Sequence, residues 1–304
     1  MSTELIELSN ALARETDRAA GALVAVHTES RGSSSGVVWR GGVIVTAEHA
    51  LRRDEEIHVT LPDGRVVPAT LAGRDPTTDL AVLKCAEASG SVTDFADASA
   101  VRPGSLALVV GRTRASGPVA ALGVVSLVTS ERRSWFGTAL SPYIRLDVGL
   151  QPTAVGGAAI DANGKVIGIA SPRFARFGAI AVPATTVNRV VDALLRAGHI
   201  PHGYLGVGLH PVRIPEALRQ SLKREEKTAA IVVEVEPDSP AQKAGIIIGD
   251  LLLSFDAHAI ASVEDVHAQL GAEAIGKSVP VKFARGGAAQ EASIVIGERP
   301  RGGN

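Results

Sequence analysis

Between Gly21 and about Pro183 the sequence is a succession of short β-type runs separated by turns. Turn formers such as residues 62–64 (Pro-Asp-Gly) and 161–164 (Asp-Ala-Asn-Gly) punctuate the stretch. Many short strands without intervening helices predict an all-β barrel domain. The predicted strands are 23–26, 36–39, 43–45, 57–61, 81–83, 106–110, 119–125 and 166–169.

Helical patterns flank this β-rich stretch. Leu5, Leu8 and Leu12 recur at helical spacing within residues 3–20, which predicts a helix that packs on its own domain or on another subunit. Residues 184–197 predict a second helix that closes the β-domain. After a turn-rich linker, a second module combines predicted strands with short helices near 241–244 and 263–270.

Length and charge narrow the class of protein. A chain of 304 residues is long enough for two or three domains with their own cores. The formal net charge of -1 argues against a basic nucleic-acid-binding surface, and a single cysteine, Cys85, excludes an internal disulfide framework. The first eight residues carry acids where a signal peptide is basic, and no apolar run approaches the ~20 residues of a membrane span. We therefore expect no membrane span and a cytoplasmic location.

Three segments carry residues that suggest acyl-transfer chemistry. Residues 43–50 read Val-Ile-Val-Thr-Ala-Glu-His-Ala, so His49 follows a strand at the edge of a barrel, where an imidazole can take a hydroxyl proton. Residues 73–84 contain Asp79, a carboxylate that can hold the tautomer of that imidazole. The third segment, 151–157, reads Gln-Pro-Thr-Ala-Val-Gly-Gly.

In their order and spacing these segments resemble the HtrA family of serine proteases over about residues 20–297. The resemblance implies a mainly β fold, a trypsin-like double β-barrel followed by a PDZ α+β domain. It also implies that His49 and Asp79 occupy the histidine and aspartate positions of a serine-protease triad. The implied organisation is an N-terminal helix (1–20), a protease-fold domain (21–197), a linker (198–203), a PDZ domain (204–298) and a disordered tail (299–304).

The third segment departs from the family pattern, which reads Asn-Pro-Gly-Asn-Ser-Gly-Gly. Val155 stands where the family carries its nucleophilic serine, and a valine cannot form an acyl-enzyme. Thr153 replaces a glycine of the oxyanion hole, and a β-branched residue resists the backbone angles that glycine accepts. Loss of the serine costs about 8 kcal/mol of transition-state stabilisation, and loss of one oxyanion donor costs about 2.7–4 kcal/mol by itself.

Other side chains could in principle supply a nucleophile. Thr153 would need a different register, and Ser141, Ser171 and Cys85 have no supporting motif. Several of the few aromatic residues fall in two loops that flank the third segment. They indicate either a retained peptide-binding surface or simple loop packing, and they are Trp135, Phe136, Tyr143, Phe174 and Phe177.

The second module resembles an HtrA-type PDZ domain. Residues 204–207 match the family's carboxylate-binding loop, which implies peptide-binding roles for Tyr204, Leu205, Gly206 and Val207. The segment 262–266 begins the helix beside the peptide groove, with Val266 facing the groove or the core. Ser262 and Asp265 form a capping-box-like start for this helix.

The sequence therefore favours an inactive serine-protease homologue that binds peptides or unfolded proteins through its PDZ domain and protease cleft. The alternative is an active HtrA-type endopeptidase with an unrecognised nucleophile, and a third interpretation is a subunit that modulates an active paralogue. The resemblance implies a homo-oligomer, a trimer in the family, and triad chemistry requires no cofactor. His199, His202 and His210 lack a further ligand at metal-binding spacing, so no metal site is expected.

Overall fold

The computed structural model describes residues 3–28, 31–51, 56–90, 94–115, 117–129, 132–133, 139–140, 142–175 and 177–299. The chain forms two compact units, one of residues 1–132 with 140–200 and one of residues 133–139 with 201–304. The expected mainly β fold is confirmed, because the first unit contains two closed six-stranded barrels and the second a five-stranded sheet path with short helices.

The first barrel follows helix α1 (Thr3–Ala20). Its strands run in the spatial order β1-β2-β3-β6-β5-β4, and every pairing is antiparallel. They are β1 (Leu23–Thr28), β2 (Arg31–Arg40), β3 (Val43–Ala47), β4 (Ile57–Thr60), β5 (Val66–Asp75) and β6 (Leu80–Lys84).

The second barrel has the spatial order β11-β14-β13-β12-β7-β8. Strands β9 and β10 form a separate two-stranded sheet. The strands are β7 (Leu106–Thr113), β8 (Gly117–Thr129), β9 (Arg132–Arg133), β10 (Ala139–Leu140), β11 (Tyr143–Asp147), β12 (Ala158–Ile160), β13 (Val166–Ser171) and β14 (Ala179–Pro183).

Two helices pack on this unit. Helix α1 packs against β1, β7 and β8, so it covers its own domain, one of the two arrangements that its sequence allowed. Helix α2 (Ala184–Ala197) buries Val187, Val190 and Leu194 against the barrels, as its apolar spacing predicts. It ends at Gly198, whose φ of 74° is the left-handed conformation that favours glycine after a helix.

The two barrels share one core. Val37 and Val82 of the first barrel belong to the same buried cluster as Ile160 and Ile169 of the second. Side chains of α2 complete this cluster. Burial of these contiguous apolar surfaces fixes the barrels against each other, and the loops between them can therefore hold a site in a defined geometry.

The second unit is an antiparallel sheet in the order β16-β17-β18-β20-β21, with three short helices. Its strands are β15 (Gly203–Tyr204), β16 (Val207–Arg213), β17 (Thr228–Val235), β18 (Leu251–Phe255), β19 (His258–Ala259), β20 (Ser278–Arg285), β21 (Ala288–Val295) and β22 (Gly297–Glu298). The helices are α3 (Glu216–Ser221), α4 (Pro240–Lys243) and α5 (Val263–Ala268).

The ends of this unit differ from the expected linker and tail. Gly203, expected in the linker, pairs with Glu298 in the β15–β22 ladder. Arg299, expected as the first residue of a disordered tail, donates its backbone N–H to the carbonyl of His202 at 2.9 Å. Regular structure therefore extends to residue 299, because the strands at the two ends of the unit, β15 and β22, pair with each other. Within the described part of the chain, no helix is long and apolar enough to cross a membrane.

Candidate active site and peptide-binding loop

Asp79 lies at the end of the turn that joins β5 to β6. The turn is fixed by Asp75, whose carboxylate accepts hydrogen bonds from the Thr77 N–H at 3.0 Å and from the Thr78 hydroxyl at 2.6 Å. Asp79 itself is fully buried and has a φ of 57°, a left-handed conformation that is uncommon outside glycine, asparagine and aspartate. The turn thus holds a buried carboxylate in a strained backbone position, as is typical of functional sites.

His49 contacts this carboxylate through both its backbone and its ring. It lies in one turn of 3₁₀-helix, Glu48–Ala50, directly after β3. The backbone N–H of His49 donates to Asp79 Oδ1 at 3.0 Å, and Nδ1 lies 2.8 Å from both carboxylate oxygens. Because an ionised carboxylate only accepts hydrogen bonds, Nδ1 carries the proton in this contact. This is the histidine–aspartate arrangement of a serine-protease triad.

Ser171, at the end of β13, is a third member of the network that sequence reasoning missed. Its Oγ donates to Asp79 Oδ2 at 2.5 Å and accepts the backbone N–H of Arg173 at 3.0 Å. The residue is fully buried. Ser171 therefore links the second barrel to the carboxylate on the first, and its proton is committed to Asp79.

The backbone N–H of Val155 is hydrogen-bonded within a turn. Pro152–Ala154 form one turn of 3₁₀-helix, and the Val155 N–H donates to the carbonyl of Pro152 at 3.3 Å. The Val155 side chain is 7% exposed. In a serine protease the N–H of the nucleophile residue points at the developing oxyanion. Here that donor is occupied within the turn.

Ser35 holds this turn in place. Its Oγ donates to the carbonyl of Thr153 at 2.6 Å and accepts the Arg112 N–H at 2.8 Å. The Ser35 backbone N–H also donates to the carbonyl of Val155 at 2.8 Å. Three hydrogen bonds of one buried serine therefore tie the segment 153–155 to strands β2 and β7.

The third segment also lies against the strand that leads to His49. Gly156 has a φ of 80°, and a Cβ on it would lie 2.8 Å from the backbone N of Ala47 and 2.4 Å from the carbonyl oxygen of Ser35. Only glycine fits this approach. The structure thus brings the residue 155 region and the His49–Asp79 pair into one place, as the motif order predicts.

The alternative nucleophiles divide into four cases. Thr153 lies within the turn Pro152–Ala154, and its carbonyl accepts the Ser35 hydroxyl. Ser171 bonds to the aspartate instead of presenting its hydroxyl to the imidazole ring. Cys85 is buried, burial raises the pKa of its thiol, and its Sγ lies 3.7 Å from a carboxylate oxygen of Glu87. Both observations disfavour a thiolate nucleophile. Ser141 lies outside the described residues.

Two aromatic residues of the flanking loops contribute to packing. Tyr143 is 1% exposed in β11, and its hydroxyl donates to the carbonyl of Phe174 at 3.1 Å. Phe174 packs against the shared core, whereas Phe177 is 79% exposed. Trp135 and Phe136 lie outside the described residues.

In the second unit, two carbonyl groups of the loop 204–207 accept hydrogen bonds from neighbouring segments. Ala241 N–H donates to the carbonyl of Leu205 at 2.9 Å, and Glu236 N–H donates to the carbonyl of Gly206 at 2.8 Å. The C=O and N–H of a trans peptide point in opposite directions, so the N–H groups of Gly206 and Val207 point away from these partners. Successive N–H groups with a common direction form an anion-binding concavity that suits a carboxylate.

Side chains fix the loop in this conformation. Gly206 has a φ of 73°, and a Cβ on it would lie 2.2 Å from Ser239 Cβ, so no other residue fits. The Tyr204 hydroxyl donates to Glu236 Oε2 at 2.5 Å. Burial, the hydrogen bond to Glu236 and the charge of Glu236 raise the pKa of Tyr204 to about 12.

The remaining peptide-binding candidates lie in or beside the core. Leu205 is 3% exposed, and its side chain packs in the core of the second unit and so holds the loop in place. Val266, on α5, is 1% exposed and belongs to the same core cluster, so its side chain supports the helix from within instead of lining an open groove. Helix α5 begins at a complete capping box, with Ser262 and Asp265 in the predicted positions, and packs beside β16.

The three histidines considered as metal ligands are not brought together. The His199 Nδ1 donates to the carbonyl of Ala197 at 3.0 Å, and His210 faces Ile231 in the β16–β17 ladder. Among the residues that the structure describes, no group of three His, Cys, Asp or Glu side chains could hold a metal ion.

Sequence comparison matches both units to known families. Residues 34–169 match the trypsin-like peptidase domain, and residues 203–296 match the PDZ domain. Two solved structures superimpose over nearly the whole chain. The HtrA-type protease AlgW with a decapeptide has a TM-score of 0.77 at 25% identity and covers 96% of this chain and 99% of its own.

The chain combines a trypsin-like peptidase domain with a PDZ domain and is similar to solved HtrA-type proteases.

A second solved neighbour is the serine endoprotease from Yersinia pestis, with a TM-score of 0.75 at 27% identity over 95% of this chain and 98% of that chain. Two curated relatives are named probable periplasmic serine endoprotease DegP-like. The one from Marinomonas sp. (strain MWYL1) is 30% identical over 87% of this chain and 56% of its own length. The one from Brucella suis biovar 1 (strain 1330) is 31% identical over 87% of this chain and 52% of its own length. The chain thus spans little more than half the length of these relatives.

The relatives correct one expectation of the sequence analysis. A cytoplasmic location was expected because the first residues lack the basic and apolar pattern of a signal peptide. That expectation is wrong, because curated relatives of this chain are named probable periplasmic serine endoproteases. The lack of a pattern in one segment does not determine a compartment.

The Ser171–Asp79 contact generates a stability prediction. Ser171→Ala removes a hydrogen bond to a buried carboxylate, and bonds to charged groups contribute about 1.5–3 kcal/mol. We expect the free energy of unfolding of the first unit to fall by about 2 kcal/mol in urea denaturation.

Ser99→Ala is the matched control. The Ser99 hydroxyl also donates to an aspartate, at 2.7 Å from Asp97 Oδ1, but this pair is exposed to solvent. The control variant should unfold at the urea concentration of the unmodified chain. Equal effects of the two substitutions would show that the Ser171–Asp79 bond has no special role.

Proposed function

We propose that this chain is a catalytically silent HtrA-family protein that binds peptides or unfolded segments, as a scaffold, a chaperone-like holder or a regulator of active relatives. The observation that carries the proposal is Val155. An apolar side chain occupies the nucleophile position, and its backbone N–H is bonded to Pro152 instead of facing an oxyanion.

The energetic argument rests on two separate losses. Removal of the nucleophile costs on the order of a million-fold in kcat, about 8 kcal/mol. An oxyanion donor turned away costs a further 2.7–4 kcal/mol by itself, although such losses do not add in full. The His49–Asp79 pair cannot offset them, because a general base accelerates a reaction only when a nucleophile is there to be deprotonated.

Peptide binding is supported by the second unit. The N–H groups of Gly206 and Val207 point away from Ala241 and Glu236, and they lie where β16 begins at the edge of the sheet. An extended peptide can add to such an edge while its terminal carboxylate binds the N–H groups. The solved AlgW structure contains a decapeptide, which agrees with this proposal.

An active endopeptidase is the second candidate. The names of the relatives and the intact network of His49, Asp79 and Ser171 favour it. It would need a hydroxyl or thiol within reach of the imidazole, and neither Ser171 nor Cys85 has that geometry. For this reason the silent protein is the preferred proposal.

Location and assembly are proposed from the family. The names of the relatives support a periplasmic location for this chain. A homo-oligomer, with a trimer as the family form, remains a prediction; the exposed Leu5 and Leu8 of α1 give the first unit an apolar surface that fits subunit contact. A monomer in sedimentation equilibrium at micromolar concentration would contradict it.

Labelling with a fluorophosphonate tests the proposal. The unmodified chain should take up no label, because residue 155 has no hydroxyl. The double variant Val155→Ser with Thr153→Gly should take up one label per chain, since it restores the hydroxyl and removes the β-branched residue from the turn.

His49→Ala in the double variant is the control and should abolish labelling, because the serine then lacks its general base. Stoichiometric labelling of the unmodified chain would contradict a silent protein. A double variant that folds but takes up no label would show that residues 153 and 155 are not the only obstacles to chemistry.

A further inference from the structure

An acidic side chain, Glu234, lies beside the free edge of β16 and has no role in binding the terminal carboxylate of a peptide. Strand β16 is the first in the sheet order and pairs with β17 on one side, while α5 packs beside it. In the β16–β17 ladder, Gly208 faces Glu234. This cross-strand pair lies two residues from Gly206, at the carboxylate-binding end of the strand.

Gly208 allows Glu234 to reach across β16. A Cβ on Gly208 would lie 2.8 Å from Glu234 Cβ and 3.3 Å from Glu234 Oε2. The carboxylate therefore occupies the space above β16 that a side chain at residue 208 would fill. Glu234 is exposed, and within the described part of the chain no ion pair of 4.0 Å or less involves it. Its charge is available to a ligand on the neighbouring edge.

The register of an added peptide follows from the position of the loop. A peptide whose terminal carboxylate binds at Gly206 and Val207 must run antiparallel to β16, because the loop precedes that strand. Its last residue then lies opposite Val207 and its penultimate residue opposite Gly208. Residues directly opposite each other in an antiparallel pair project on the same face of the sheet. The penultimate side chain therefore projects on the face that carries the Glu234 carboxylate.

We infer that this PDZ domain selects protein C-termini with lysine or arginine as the penultimate residue, and that Glu234 is the residue that determines this preference. The inference rests on the proposed binding of C-terminal peptides. Neighbouring strands lie about 4.7–4.9 Å apart, a distance that a lysine or arginine side chain spans. Because the pair is exposed, the preference over an uncharged residue should be about threefold, and over glutamate about fivefold to tenfold.

The acidic neighbour Glu236 is engaged differently. Its Oε2 accepts the Tyr204 hydroxyl, and its backbone holds the loop carbonyl of Gly206. It therefore belongs to the support of the loop, whereas Glu234 has no such role. Substitution of Glu234 should change the preference for one peptide side chain and leave binding of the terminal carboxylate intact.

The experiment uses the full chain and three fluorescein-labelled decapeptides with an apolar last residue and a free carboxylate. They differ only at the penultimate residue, which is lysine, glutamine or glutamate, and a fourth peptide is the lysine form with a C-terminal amide. Fluorescence anisotropy at low salt should give the order lysine, glutamine, glutamate, and amidation should abolish binding. Raising the salt concentration should lower the ratio of the lysine-peptide affinity to the glutamate-peptide affinity, because salt screens the charge of Glu234.

Glu234→Gln should bring the three affinities together, and Glu234→Lys should reverse their order. Glu291→Gln is the matched control, since it removes the same charge from β21 at the far edge of the sheet and should keep the lysine preference. If Glu234→Gln leaves the ratio of the lysine-peptide affinity to the glutamate-peptide affinity unchanged, the inference is overturned. The proposed binding of terminal carboxylates would still stand in that case. If no free-carboxylate peptide binds, or if amidation has no effect, the proposed peptide binding itself fails and the inference with it.

Discussion

The buried carboxylate of Asp79 is the constraint on which the site depends. It accepts hydrogen bonds from the backbone and ring of His49 and from the hydroxyl of Ser171, at 2.5–3.0 Å. An ionised carboxylate without these donors would be costly in the interior, so each donor is held where it is. The end of β3, the turn before β6 and the end of β13 therefore converge on one side chain.

This constraint explains how a triad geometry can persist without a nucleophile. The His49–Asp79–Ser171 network joins elements of both barrels, which also share one apolar core. Its contribution to folding does not require a hydroxyl at residue 155. The turn at 152–155 is independently fixed by Ser35, so the oxyanion region adopts its own stable conformation. Retained triad residues are thus compatible with a protein that performs no hydrolysis, while its second unit offers a sheet edge and an anion-binding loop.

Sequence patterns predicted features that depend on residues close together in the chain, such as strand ends and helix caps. The motifs placed His49 and Asp79 correctly relative to their strands, and the capping box at Ser262 and Asp265 formed as its spacing predicts. Ser171 was missed because its bond to Asp79 joins residues 92 positions apart and leaves no local signature. Strand β5 was missed because only three of its ten residues are buried and these do not alternate regularly with exposed residues. The reach of Glu234 across Gly208 likewise depends on a cross-strand pairing that only the folded sheet creates.

The most direct test of the central claim, binding without cleavage, is the intact-mass spectrum of a reduced, unfolded protein client after prolonged incubation with the chain. The account predicts that the client is recovered at full mass, including the fraction that co-elutes with the chain in gel filtration. Fragments that accumulate with the unmodified chain and disappear with a His49→Ala variant would contradict it, because such cleavage would require a working nucleophile paired with His49.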